Sequence, residues 1–159
     1  MYEVLSIGEA LMDFIPVNPD AERLEAAEGG RITIPQFEEN VGGSPASVPC
    51  ALAKLGVKTG FIGKVGDDPF GRTVKGVLER SGVDIRNLIL DGAYRTPVAL
   101  VHHSPEGKRF TFYRNGQTAD THFEEEEIDD SIFADCKVFN FSSFPLTSEP
   151  SRSTILNAV

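Results

Sequence analysis

Positive charge is in short supply in this chain. It has 15 Lys and Arg against 24 Asp and Glu, a formal net charge of −9. That balance argues against nucleic acid or an anionic membrane as partner, because both are held by clustered basic residues. Cysteine is scarcer still. The two cysteines, Cys50 and Cys136, lie in apolar segments, one on an expected helix and one entering an expected strand. They read as the reduced, buried, inert thiols of a cytosolic protein. No run approaches membrane-spanning length and no basic stretch precedes an apolar one at the amino terminus, so the expected compartment is the cytoplasm. Two phosphate loops are absent as well. There is no G-x-x-x-x-G-K-[ST], hence no lysine placed to reach a β- or γ-phosphate, and no G-x-G-x-x-G after the first strand. His102, His103 and His122 lack zinc-ligand spacing.

What is present is a soluble, globular composition, 40% hydrophobic and 25% charged over 159 residues, enough for one good core and not for two full domains. The chain is organised around Asn40–Gly56. Gly42 and Gly43 allow positive φ or close approach to a ligand. Ser44 is the expected N-cap and Pro45 the first residue of a helix over Pro45–Leu55, stopped by Gly56. A helix start behind two glycines is either a tight turn into a core helix or a set of free N–H groups suited to an oxygen-rich ligand.

Glu3–Ile7, Thr59–Val65 and Lys137–Phe141 read as buried strands. A second helix is expected over Pro69–Ser81, with Asp68 as N-cap, Pro69 just inside and Gly82 as the stop. Strand, helix, strand, helix with short links is the pattern of a mainly parallel α/β sheet covered on both faces. Asp13, between Met12 and Phe14, is either exposed at a strand edge or aimed into a polar site, since an unpaired buried carboxylate is costly. Arg31–Pro35 alternates as a strand confined to an edge by Pro35. Arg95–His102 and Arg109–Arg114 flank a turn and predict a hairpin. On it Phe110, Phe112 and Arg114 share a face that either stacks on a sugar or packs in a core with the arginine solvated. The acidic run Glu124–Glu127 reads as a solvated first helical turn rather than a metal site. A last helix opens at Ser148–Pro150, and its apolar positions are still recurring where the chain stops.

The Gly42-Gly43 pair, with Gly56 and Gly66 downstream, resembles the first signature of the PfkB/ribokinase family of carbohydrate kinases. Ser47 stands at the family's Asn position and Pro49 at a position where the family has a small residue. G-E-A-L-M-D-F at Gly8–Phe14 looks like the opening of fructokinases and 2-keto-3-deoxygluconate kinases. The resemblance implies a ribokinase-like, doubly wound, mainly parallel sheet with a small β-sheet lid, here the amino-terminal part of one kinase domain over 1–159. Lid elements are expected near 14–37 and 95–115, and the lid often carries the dimer contact. It further implies a sugar substrate held by Asp13, Gly42, Gly43, Ser47, Ala99, Phe112 and Arg114, with Asp13 accepting from sugar hydroxyls and Phe112 and Arg114 forming an aromatic-x-Arg element. The family uses ATP and Mg²⁺. The catalytic base and the ATP cleft are expected in a carboxy-terminal half absent from these 159 residues, so no catalytic, cofactor or metal residue is assigned here. Three readings stay open: the sugar-binding part of a fructokinase-like kinase, a catalytically silent sugar-binding or scaffold protein, or one chain of a split kinase.

Overall fold

The chain begins with β1 (Tyr2–Ile7), β2 (Leu11–Pro16), β3 (Phe37–Gly42), α1 (Ser44–Lys54), β4 (Thr59–Gly66) and α2 (Pro69–Arg80). It continues with β5 (Asp84–Asp91), β6 (Val98–Ser104), β7 (Gly107–Tyr113), β8 (Cys136–Phe141) and α3 (Ser151–Asn157), with short 3-10 turns after β7 and after β8. The computed structural model describes residues 1–17, 36–104 and 106–158, so the expected Arg31–Pro35 strand lies outside the described residues.

The main sheet has the order β5-β4-β1-β8, and every pairing in it is parallel. The three strands read from the sequence are therefore neighbours. β5 is the fourth, and the sequence reading did not identify it. Side chains alternate across this sheet. Phe61 and Val65 point into a core shared with Val74 and Leu78 of α2 and Ala46 of α1. Leu5, Ile7 and Ile62 point the other way, against Phe123 and Ile155 of α3. With helices on both faces, every residue of β4 is buried.

A second sheet has the order β3-β2-β6-β7, with β2 and β6 parallel and the outer pairs antiparallel. The hairpin forms as expected, although β7 ends at Tyr113, one residue short of Arg114. Ala10 and Met12 carry the base of this sheet into the α2 core, and the ring of Phe14 meets Phe70 edge-on with centroids 5.5 Å apart.

Several local expectations are corrected. Asn40–Gly42 is strand rather than turn, and the N-cap of α1 is Gly43, with Ser44 already helical and making no cap bond. Gly43 holds φ +95°, which a Ser side chain in its place would resist. Pro49 sits inside α1 and has no N–H to give the Pro45 carbonyl. Ser6 Oγ supplies that bond at 2.6 Å, and Asn140 Nδ2 donates to Ser6 Oγ at 2.7 Å. Ser6→Ala should therefore lower stability by about 1–2 kcal/mol, since it strands a buried carbonyl and a half-buried amide. An unchanged urea midpoint would show that the helix does not depend on this tie.

The acidic run is a 3-10 turn over Glu125–Glu127, and it is not wholly solvated. Glu127 reaches buried Lys64 at 2.8 Å, alongside Asp91 at 2.9 Å, while the His122 carbonyl accepts from the same ammonium at 2.9 Å. Burial pushes the Lys64 pKa down, but the two carboxylates outweigh it and the net shift is upward. Cys50 and Cys136 are half-buried rather than buried, the latter because β8 is the outer strand among the described residues. The last helix starts at Ser151, after Pro150, and closes at Ala158, whose N–H goes to the Thr154 carbonyl.

Candidate functional site

The chain leaves β1 at Ile7, turns through Gly8–Ala10, and re-enters as β2 in the other sheet. A cavity of about 210 Å³ opens at this change of sheet, by the carboxyl ends of β1 and β8, where open α/β sheets bind ligands. It is lined by Glu9, Leu11, Asp13, Gly43 and Ser44 together with the rings of Phe110, Phe112 and Phe144.

Asp13 belongs to an interior strand of the second sheet and pairs with Asn40 on one flank and Ala99 on the other. It is therefore not at a strand edge. Its carboxylate takes no hydrogen bond among the described residues, and burial raises its pKa. Gly42 is what makes this placement possible. A Cβ there would lie 2.2 Å from Asp13 Oδ2, so any side chain at 42 would displace the carboxylate. Gly43 is constrained in the same way, because a Cβ on it would lie 2.5 Å from the Glu9 carbonyl oxygen.

Glu9 is a cavity residue that the sequence reading passed over. It is almost fully buried, and Ser142 Oγ donates to its Oε2 at 2.8 Å. Burial lifts its pKa; Ser142, its own amide and that of Ser44 pull it back, and Asp120 nearby pushes it up again. The carboxylate stands at the first turn of α1, where the dipole favours it. The positive end of this helix is thus already balanced by a carboxylate of this chain. The signal that singled out Asp13, an acid in an otherwise apolar run, was present at Glu9 too.

The aromatic side is open. Phe110 and Phe112 are 52% and 46% exposed and stack on each other 5.9 Å apart. Phe112 also touches Phe144, centroids 5.0 Å apart. Arg114 is neither solvated nor in the cavity lining. Its side chain is 5% exposed and ion-pairs through Nε with Asp120, itself 2% exposed. Its Nη1 donates to Thr147 at 2.9 Å, and its guanidinium lies 4.5 Å over the ring of Phe144.

Of the residues expected to hold a sugar, Asp13, Gly43 and Phe112 line the cavity. Gly42 backs Asp13, and Arg114 sits one layer behind Phe144. Ala99 is fully buried beside Asp13 in the sheet, and Ser47 is exposed on α1, outside the lining. Among the described residues the lining has two carboxylates and no cation, which does not suit a polyphosphate. No group of three His, Cys, Asp or Glu gathers to hold a metal among the described residues. No helix among the described residues is long and apolar enough to cross a membrane.

A parallel sheet wrapped by helices, with a small sheet laid over its carboxyl edge, is the architecture of the ribokinase-fold sugar kinases. The structure is similar to that of an uncharacterised sugar kinase from Pyrococcus horikoshii, with TM-score 0.82 and 32% identity, covering 98% of this chain and 50% of that one. It is similar too to a fructokinase from Xylella fastidiosa solved with bound ATP, with TM-score 0.83 and 26% identity, covering 99% and 47%. The chain belongs to the pfkB family of carbohydrate kinases, whose pattern it matches over residues 1–159. Among curated relatives it is 40% identical to fructokinase-2 of Zea mays over 157 residues, 98% of this chain and 44% of that protein. It is 38% identical to probable fructokinase-5 of Arabidopsis thaliana, covering 98% and 46%. The chain thus spans less than half the length of these relatives.

Proposed function

We propose that this chain is the sugar-binding part of an ATP-dependent, fructokinase-like kinase, which transfers the ATP γ-phosphoryl group to a sugar hydroxyl in the cytoplasm. The observation that carries the reading is the Asp13 carboxylate, held in a cavity with no hydrogen-bond partner among the described residues and given room by Gly42. Such a group accepts from two hydroxyls at once with charge-assisted strength. The exposed Phe110 and Phe112 rings offer apolar faces for the C–H side of a sugar. In this reading Asp13, Gly42, Gly43, Ser47, Ala99, Phe112 and Arg114 form or support the sugar site, and a homodimer forms through the β3-β2-β6-β7 sheet. The catalytic base and the residues for ATP and Mg²⁺ lie outside these 159 residues. Phosphoryl transfer rests on positioning and charge stabilisation, so the 159 residues by themselves should bind sugar without phosphorylating it. Coupled assays of the purified chain with fructose and ATP test this. Turnover that a substitution within the chain abolishes would place the base here and overturn the division of labour.

A further inference from the structure

Glu9 is almost fully buried where three parts of the chain meet: the crossing from β1 to β2 on which it lies, the start of α1, and the carboxyl end of β8. The Ser44 amide reaches its carboxylate from the α1 side, and Ser142 Oγ donates to Oε2 at 2.8 Å from the β8 side. An ionised carboxylate can only accept. The Ser142 O–H is therefore committed to Glu9, and the lone pairs of that hydroxyl are left for the Phe144 amide, 3.4 Å away. Phe144 in turn lines the cavity and leads into the short turn Pro145–Thr147. Its ring lies 5.0 Å from that of Phe112 and under the guanidinium of Arg114. Thr147 Oγ1 donates to the Phe144 carbonyl at 2.7 Å and accepts from Arg114 Nη1 at 2.9 Å. Phe144 is thus held from two directions, by Glu9 through Ser142 and by the end of the β6-β7 hairpin.

We propose that Glu9 is a positioning residue of the cavity: through Ser142 it sets Phe144 in place as the surface on which Phe112 and the end of the β6-β7 hairpin seat. The inference rests on the reading of this cavity as a sugar site and adds to it a residue that acts on the sugar through another side chain. The physical reason lies in the exposure of the rings. Phe112 is 46% exposed, so it offers a fixed face to a ligand only while the ring behind it stays put. A ring left free to shift must be ordered at the moment of binding, and affinity falls by that cost. Neutralising the start of α1 is the plainer role for Glu9, and it would be felt in the stability of the fold alone. The two roles differ in what happens to affinity.

The experiment measures D-fructose binding by calorimetry on the native gene product, as wild type, Glu9→Gln, Ser142→Ala, Phe144→Leu and the double variant Glu9→Gln/Phe144→Leu, with urea midpoints alongside. Glu9→Gln and Ser142→Ala should each weaken fructose binding by about tenfold. In the Phe144→Leu background, Glu9→Gln should cost less than about twofold more, because the route through which it acts is already gone. Losses that multiply in the double variant overturn the route through Phe144. A lowered urea midpoint with wild-type affinity in the folded Glu9→Gln protein marks a merely structural role and overturns the assignment. Should Glu9→Gln not fold, Ser142→Ala keeps the carboxylate and enters the same cycle with Phe144→Leu, where multiplying losses again count against the proposal. Wild-type protein that binds fructose, loses it in Asp13→Ala and keeps it in Glu9→Gln and Ser142→Ala overturns the role of Glu9 and leaves the sugar site standing. Wild-type protein that does not bind fructose removes the sugar site and this inference with it.

Discussion

Asp13→Ala should weaken fructose binding by the native gene product roughly thirty- to a thousandfold, about 2–4 kcal/mol, with the larger share appearing in kcat/KM if the transition state strengthens the same contacts. The size follows from the environment. A carboxylate that spends no bond on the described residues has all its acceptor sites available to a ligand, and its half-buried position beside Gly42 removes competing water. Asp13→Asn should lose most of the same affinity, because an amide keeps the volume and sacrifices the charge. The pH dependence has a definite sign. Burial raises the Asp13 pKa, so on acidification this group loses its charge at a higher pH than an exposed aspartate would, and affinity should fall correspondingly early. Calorimetry across pH with both variants checks the argument; wild-type affinity in Asp13→Ala would remove the sugar from this cavity.

The second large effect is on stability, and it falls on Asp68→Ala. Asp68 caps α2 by accepting from the Gly71 amide at 2.9 Å. It also accepts from the Thr96 amide at 2.9 Å and from Thr96 Oγ1 at 2.9 Å, and Thr96 Oγ1 in turn accepts from the Gly66 amide at 3.0 Å. One buried carboxylate therefore fastens the start of α2 and the end of β4 to the strap that leads into β6. Removing it strands two buried amides, which should cost about 3 kcal/mol or more. Burial opposes the charged form of Asp68, but the Thr96 and Gly71 bonds prevail and its folded pKa is lowered. A lowered carboxylate pKa stabilises the fold fully above the unfolded value of about 3.9, and that stability is lost as pH falls through the folded value. Urea titrations at pH 7 and in the acid range should therefore show the wild type and Asp68→Ala converging as pH drops. A constant difference between them would refute the linkage.

The elements legible beforehand were those whose signals are local. The capping Asp68-Pro69 pair, the helix stops at Gly56 and Gly82, and the apolar runs of β1, β4 and β8 each depend on residues within a few positions of one another. The turn between β6 and β7 is of the same kind. β5 escaped because Asp84, Arg86 and Asn87 break its apolar run, and Ile85, Leu88 and Leu90 become core only when β4 and α2 are beside them. β3 escaped because Phe37–Gly42 carries Glu38, Glu39 and Asn40, and β2 alone makes it a strand.

The site divides in the same way. Sequence by itself determined the α/β class, the place of the main strands, the resemblance to pfkB sugar kinases, and Asp13 as an acid that needed an explanation. Only the tertiary structure decided that Gly42 clears space for that acid, that Glu9 occupies the start of α1, and that Ser6 serves a carbonyl orphaned by Pro49. It also decided that Lys64 gathers Asp91 and Glu127, and that Arg114 belongs to Asp120. The reason is physical: patterning and capping act through neighbouring residues along the chain, whereas the charge state and availability of a buried group depend on whatever distant segments the fold packs around it.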